Sequence, residues 1–100
     1  MVAPGYALLS AADRVIPAGA SVVVKTEPPD AVQETWYHRV AVALLPGRRP
    51  RPAAAYGQPL SPDVWGDAEY LVVVGARPAT PPGQSILETA EGTVWRRSKP

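Results

Sequence analysis

The sequence predicts an α/β domain in which two short strands form the centre of a mixed sheet. The apolar runs at 21–25 and 70–75 are too short for helices and do not alternate with polar residues, as is typical of strands buried on both faces. A helical pattern lies between them, so we expect a parallel pair joined by a crossover. With two main helices and an antiparallel hairpin at the carboxyl terminus, the expected architecture is a small, layered, Rossmann-like fold.

Length, charge and composition limit the classes of protein to which the chain belongs. One hundred residues form a single domain, 1–100, with a modest core. Ten basic residues against nine acidic ones give a net charge of +1, which offers no electrostatic footprint for nucleic acid. The absence of cysteine excludes disulfides and thiolate metal sites. No stretch approaches the ~20 consecutive apolar residues of a membrane span, so the chain as given is predicted to be soluble.

Three further segments complete the framework around the central strands. Residues 6–16 carry apolar side chains at helical spacing and are followed by Pro17, which ends the predicted first helix. The arginine- and proline-rich stretch 48–56 is predicted to be an edge strand, where proline is tolerated because one row of amides need not pair. Residues 61–66 begin with serine and proline, a pattern that predicts a single helical turn.

The second helix is predicted to begin at Asp30 and to end near Leu45. Asp30 and Gln33 have the spacing of a capping box, in which the aspartate accepts an early helix amide. The predicted buried stripe consists of seven residues at helical spacing: Val32, Trp36, Val40, Leu44, Tyr37, Ala41 and Leu45. The opposite, polar face contains Glu34, Thr35, His38 and Arg39, with Val42 as its one apolar member.

The carboxyl-terminal segment predicts a hairpin of two strands, 85–90 and 93–97. Glu91 and Gly92 would form the turn, because glycine readily adopts the positive φ that a tight hairpin turn requires. A two-residue connection would place Thr89 opposite Val94 and Glu88 opposite Trp95.

The loop that follows the first central strand is the natural ligand position in such a fold. At 26–30 it contains two prolines, which have no amide to donate, and two carboxylates, which repel anions. It also contains no glycine that would let the backbone approach a phosphate closely. We therefore predict a structural helix cap at this loop and no nucleotide cofactor.

The spacing of Asp30, Glu34 and His38 places them on one helix face, where carboxylate and imidazole groups could ligate zinc. His38 is the only histidine in the chain, so a solvated face with a weak pair between Glu34 and His38 is the favoured interpretation. His38 also lacks a serine or cysteine nucleophile on its helix face. We predict no metal site and no catalytic residue.

Side chains expected at the surface are the remaining candidates for binding. The basic clusters at 48–51 and 96–99 are short and are interpreted as solubilising edges of the sheet. Because the chain has no phenylalanine, most of its tryptophans and tyrosines are expected in the core. Trp65 lies in a polar loop rich in proline and glycine, and we predict it, with Val42 and His38, to contact a ligand or partner.

Four motifs resemble the soluble tail of bacterial polytopic membrane proteins of the lipid-linked-sugar glycosyltransferase, mannosyltransferase-like type. They are Ile-Pro-Ala-Gly-Ala at 16–20, Tyr37 with Pro-Gly-Arg-Arg at 46–49, Ala-Glu-Tyr-Leu-Val-Val-Val at 68–74, and Glu-Gly-Thr-Val-Trp at 91–95. The resemblance spans nearly the whole chain, but Leu45 precedes Pro46 where the family more often has an aromatic residue. It implies that the catalytic carboxylates lie in membrane-proximal loops outside this chain.

The resulting functional expectation is a non-catalytic, extracytoplasmic domain of a larger bacterial membrane protein, with a positional or regulatory role. Its expected partner is the membrane-embedded part of its own parent chain, to which it would present Val42 or Trp65. The alternative is a free-standing binding module for a small polar ligand or a protein partner. A small hydrolase or transferase would need a convergent polar pocket, which the sequence does not reveal.

Overall fold

The computed structural model describes residues 4–45, 47–50, 57, 68–79 and 81–97. The elements are α1 (Pro4–Ala12), β1 (Ser21–Glu27), α2 (Ala31–Leu44), β2 (Arg49–Pro50), β3 (Tyr70–Gly75), β4 (Gln84–Thr89) and β5 (Gly92–Arg96). The strands form one sheet in the order β2-β1-β3-β5-β4. The prediction of an α/β fold with a mixed sheet and two helices is confirmed.

The centre of the sheet consists of the two apolar runs. β1 and β3 are parallel, in a register that runs from Val22 opposite Tyr70 to Glu27 opposite Gly75. β2 adds a short parallel edge beside the start of β1, and β5 pairs with β3 in the antiparallel direction, with β4 beyond it. The carboxyl ends of β1 and β3 therefore lie side by side at one edge of the sheet.

Both helices pack on the same face of the sheet. α2 contacts β1, whereas α1 contacts β3 and β5. The core on this face combines helix residues such as Leu8, Leu9 and Ala41 with Val24 and Val72 of the central strands. The opposite face has a second, smaller cluster, and its residues are also buried: Val23, Ala68, Leu71, Val73 and Trp95. Burial on both faces explains why neither run alternates with polar residues.

The two helices differ from the predicted ones in length and orientation. α1 ends at Ala12, and the chain continues to a buried Ile16 through tighter turns, in which the Val15 amide donates to the Ala12 carbonyl at 3.0 Å. In α2 the prediction that Val32 and Trp36 are buried is wrong, since they are 81% and 50% exposed. Glu34, expected on the solvated face, is fully buried. The helix is rotated so that this carboxylate faces the sheet.

The hairpin turns one residue earlier than predicted. Thr89 pairs with Gly92 and Glu88 with Thr93, so Ala90 and Glu91 form the turn. Gly92 instead lies within the ladder, where a Cβ would stand 2.1 Å from the Val73 carbonyl oxygen. Glycine is required there by close packing against the neighbouring strand, and not by the turn.

Part of the predicted edge region is described. β2 occupies Arg49–Pro50 at the edge of the sheet, which confirms an edge strand for this part of 48–56, while 51–56 and the helical turn at 61–66 lie outside the described residues. Within the described part of the chain, no helix combines the length and the apolar character needed to cross a membrane.

Candidate ligand-binding cleft

A cleft of about 630 Å³ opens at the carboxyl ends of β1 and β3. Its volume lies within the range that is typical of small-molecule sites. The lining residues come from the end of β1 and the loop after it, from the first turns of α2, from the end of β3 and from the hairpin turn: Thr26, Glu27, Pro28, Pro29, Asp30, Gln33, Tyr37, Val74, Gly75, Ala90 and Glu91.

Backbone contacts fix the floor of the cleft. The Gly75 amide donates to the Glu91 carbonyl at 2.8 Å, and the Ala76 amide donates to the Glu27 carbonyl at 3.0 Å. A Cβ on Gly75 would lie 2.3 Å from the Glu27 carbonyl oxygen, and its φ is +112°. Only glycine fits this position without a shift of the backbone, so the ends of β1, β3 and the hairpin are held closely together.

The start of α2 forms one wall, and its amides are largely occupied. Asp30 caps the helix, as predicted, with Oδ1 accepting the Gln33 amide at 3.0 Å. The Asp30 amide itself donates to the Thr26 hydroxyl at 2.8 Å, and the Glu34 amide donates to the Asp30 carbonyl at 2.9 Å. Together with the two prolines before Asp30, these bonds leave few free amides for an anion.

The charge of the cleft is negative. Glu27, Asp30 and Glu91 line it, and no lysine, arginine or histidine is among the described lining residues. None of the three carboxylates forms an ion pair with a residue that the structure describes. The described lining of the cleft therefore carries negative charge without a described cation to balance it.

Tyr37 reaches the cleft from the second turn of α2. Its side chain is buried, with 5% of its surface exposed, and it contributes to the cleft lining. No described residue makes a hydrogen bond to its hydroxyl. A buried tyrosine usually finds such a partner. The phenol therefore keeps one donor and its acceptor lone pairs for a bound molecule.

A buried ion pair supports the wall of the cleft from behind. Lys25 Nζ lies 2.8 Å from Glu34 Oε1, and both side chains are fully buried. The same oxygen accepts the Gly57 amide at 2.8 Å, while Oε2 accepts the Thr26 amide and hydroxyl, each at 3.1 Å. This network joins β1 to α2 directly beneath the lining residue Thr26.

The ionisation of Glu34 follows from these contacts. Burial by itself would raise the pKa of the Glu34 carboxyl. The hydrogen bond from Lys25, the amides of Gly57 and Thr26 and the positive charge of Lys25 outweigh burial, so the pKa is lower than its ordinary value of 4.5. Glu34 is thus a carboxylate at neutral pH, as its acceptor role requires.

The residues singled out from sequence are not gathered at the cleft. Trp65 lies outside the described residues, whereas Val42 is exposed on α2 and does not line the cleft. His38 is half-buried, and its Nδ1 is shielded from solvent without a hydrogen-bond partner in the described part. The expected pair between Glu34 and His38 does not form, because Glu34 turns towards Lys25. No group of metal-ligating side chains occurs among the described residues.

Sequence reasoning missed Glu27, Tyr37 and Glu91 as site residues. The signal for Glu27 and Tyr37 was present, because the carboxyl ends of parallel strands and the helix that follows are where α/β folds bind ligands. Glu91 was assigned only to a turn, and its place at the cleft depends on β5 pairing with β3.

Comparison of the chain with protein-family models found no matching family, and comparison with curated proteins and with solved structures found no similar protein.

Proposed function

We propose that this domain is a non-catalytic binding module that takes a small polar ligand in the cleft at the carboxyl ends of β1 and β3. The observation that carries the proposal is the cleft of about 630 Å³, lined by a buried tyrosine whose hydroxyl has no partner among the described residues. Under this proposal the fold works in the Rossmann-like manner, with its ligand at the strand ends of an open α/β sheet.

We propose a non-catalytic module because of the side chains that line the described part of the cleft. Among the described lining residues, Thr26 carries the only aliphatic hydroxyl. That hydroxyl donates to Glu34 and accepts the Asp30 amide, so it is fully engaged in structural bonds. Neither histidine nor lysine is among the described lining residues, so the carboxylates there have no free aliphatic hydroxyl or amine to activate.

Amide NMR of the isotopically labelled domain, titrated with a library of small polar molecules, would test the proposal. We expect saturable shifts centred on the amides of Gly75, Gln33 and Glu91. Ala90→Trp would place a large side chain at an exposed cleft position and should abolish these shifts. Ala18→Trp, at an exposed position before the amino end of β1, is the matched control and should retain them. Shifts scattered over the surface, or equal in both variants, would contradict the proposal.

A second role, as the extracytoplasmic appendage of a larger membrane protein, is favoured by the outer side of α2. Val32, Trp36 and Val42 are 81%, 50% and 62% exposed, and exposed apolar surface often marks a contact with a partner. The partner under this proposal is the membrane-embedded part of the parent chain. Immunoblotting of fractionated source cells tests it, because a membrane-bound band far heavier than 10.6 kDa would support the appendage. A soluble band near that mass would exclude it.

A further inference from the structure

We infer that the ligand of the cleft is a small organic cation carrying one or more ammonium groups. The inference rests on the proposed function, because it assumes that the cleft binds a ligand and specifies the chemistry of that ligand. It depends on two independent features, the charge of the lining and the hydroxyl of the buried Tyr37, which has no partner among the described residues.

The first feature is the sign of the charge. Glu27, Asp30 and Glu91 come from three different segments, the end of β1, the cap of α2 and the hairpin turn, and meet around one opening. No cation among the described residues pairs with them. A cation entering the opening is attracted by all three carboxylates.

The amino end of α2, where an anion could otherwise bind, is already capped by a carboxylate of the protein. Asp30 accepts the Gln33 amide and adds a negative charge where a phosphate would have to sit. Pro28 and Pro29 have no amide to donate. The cleft thus discriminates against phosphates and carboxylates by charge and by the shortage of donors.

The second feature is the hydroxyl of Tyr37. Only 5% of the surface of Tyr37 is exposed, and its hydroxyl has no hydrogen-bond partner among the described residues. A ligand that forms a hydrogen bond with this hydroxyl gains affinity without breaking a hydrogen bond between described residues. An ammonium group provides several N–H donors, which suit the phenol oxygen and the carboxylate oxygens at the same time.

An organic cation fits this cleft better than a bare metal ion. The described residues contain no cluster of three metal-ligating side chains, so the carboxylates surround the space without converging on one point. The volume of about 630 Å³ leaves room for a carbon skeleton that spans the separate carboxylates. Val74 and the two prolines provide apolar surface for such a skeleton.

A series of probes with the same chain length but different charge would test the inference. Putrescine carries two ammonium groups, monoacetylputrescine carries one, and butanediol carries none. We expect putrescine to shift the Gly75 and Glu91 amides in a saturable way, with an affinity at least about tenfold higher than that of butanediol. Monoacetylputrescine should be intermediate, and added salt should weaken putrescine binding.

Four variants sharpen the test. Tyr37→Phe removes only the hydroxyl and should weaken putrescine binding about three- to tenfold. Glu27→Gln and Glu91→Gln should each weaken it by a similar or larger factor and reduce its salt dependence. Glu69→Gln removes the same charge from an exposed residue just before the amino end of β3, far from the cleft, and should leave the affinity unchanged.

The possible results separate the two proposals. Equal affinities for putrescine and butanediol at the cleft would overturn the cation inference and leave the binding module standing. Putrescine shifts that persist unchanged in Glu27→Gln, Glu91→Gln and Tyr37→Phe would also overturn it, since binding would then be elsewhere. If no polar molecule, charged or neutral, shifts the cleft amides, the proposed function itself fails.

Discussion

At the amino end of β1 the charged side chains are paired with one another and with the backbone, whereas at its carboxyl end they face an open cleft. Arg48 donates to Asp13 Oδ1 at 2.6 Å and to the carbonyls of Asp13 and Ile16 at 2.6 and 2.5 Å. Arg49 donates to the Gly19 carbonyl at 3.0 Å. These arginines close the turn between α1 and β1, so their charges serve the fold.

At the carboxyl end of β1, the carboxylates that line the cleft are not paired in this way within the described part of the chain, but the buried charges behind them are. Glu27, Asp30 and Glu91 line the cleft without an ion pair among the described residues. Directly behind them, Lys25 and Glu34 form a fully buried pair. The comparison indicates that paired charges hold the two ends of β1 in place, while the carboxylates that line the cleft have no ion-pair partner among the described residues.

The largest effect is expected from breaking the buried pair. Glu34→Ala removes the carboxylate that Lys25 contacts and deprives the Thr26 and Gly57 amides of their acceptor. Removing one partner of a buried ion pair costs about 3–5 kcal/mol, which is a large part of the ~5–15 kcal/mol that stabilises a typical domain. Urea unfolding would measure the loss of free energy of unfolding.

A double variant distinguishes charge from packing at this pair. Lys25→Met leaves the Glu34 carboxylate buried without its cation, while Lys25→Met with Glu34→Gln keeps an acceptor oxygen and removes the unpaired charge. The double variant should therefore be more stable than Lys25→Met alone. A loss below about 1 kcal/mol for Glu34→Ala would mean that the pair contributes little to the fold.

Gly75→Ala should have the next largest effect. A Cβ there would stand 2.3 Å from the Glu27 carbonyl oxygen, whereas at Gly19, near the amino end of β1, it would meet nothing within 4 Å. Both glycines have positive φ, at +112° and +83°, so Gly19→Ala is a control for backbone strain. We expect Gly75→Ala to cost about 1–3 kcal/mol more than Gly19→Ala. Equal shifts in melting temperature would show that the strand ends tolerate an adjustment.

Arg48→Lys tests whether the amino end depends on geometry as well as charge. Lysine keeps the positive charge but cannot reach Asp13 and the Ile16 carbonyl with a planar fork of donors. Loss of these partly buried bonds should cost about 1–3 kcal/mol in urea unfolding. Putrescine affinity at the cleft should not change. A change in that affinity would show that the two ends of β1 are coupled.

The pH dependence of stability gives a further test of the buried pair. Because the pKa of Glu34 is lower in the folded protein than its ordinary value of 4.5, the unfolded chain binds the proton more readily. Its stabilising contribution is fully present above that value and is lost as the pH falls through the lower, folded pKa. Urea midpoints of the native protein should thus fall more steeply below pH 4.5 than those of Glu34→Gln. Parallel curves would contradict this assignment.

The layer architecture could be predicted from the sequence because it follows from local patterns. The unalternating valine runs indicated strands buried on both faces, and Asp30 before an apolar periodic segment indicated the start of α2. The rotation of α2 could not be read from periodicity alone, because Val32 and Trp36 extend the apolar stripe as convincingly as Tyr37 does. The helix is instead oriented by a charge that lies on another element.

The orientation of α2 could have been predicted from Lys25. Lys25 lies inside a run that was predicted to be buried, and a buried ammonium requires a carboxylate partner. That requirement points to an acidic residue on the packed face of the following helix, which is Glu34. The cleft was harder to foresee, because Glu91 reaches it only through the antiparallel pairing of β5 with β3.

The smallest effect on stability is expected where the proposed effect on binding is largest. Glu27→Gln with Glu91→Gln removes two carboxylates that have no ion pair among the described residues. The free energy of unfolding should change by no more than about 0.5 kcal/mol. Asp30→Ala is the contrasting variant, since it also removes the helix cap and should cost about 1 kcal/mol. A loss of several kcal/mol for the double glutamine variant would mean that these carboxylates are structural, and the contrast between the two ends of β1 would fail.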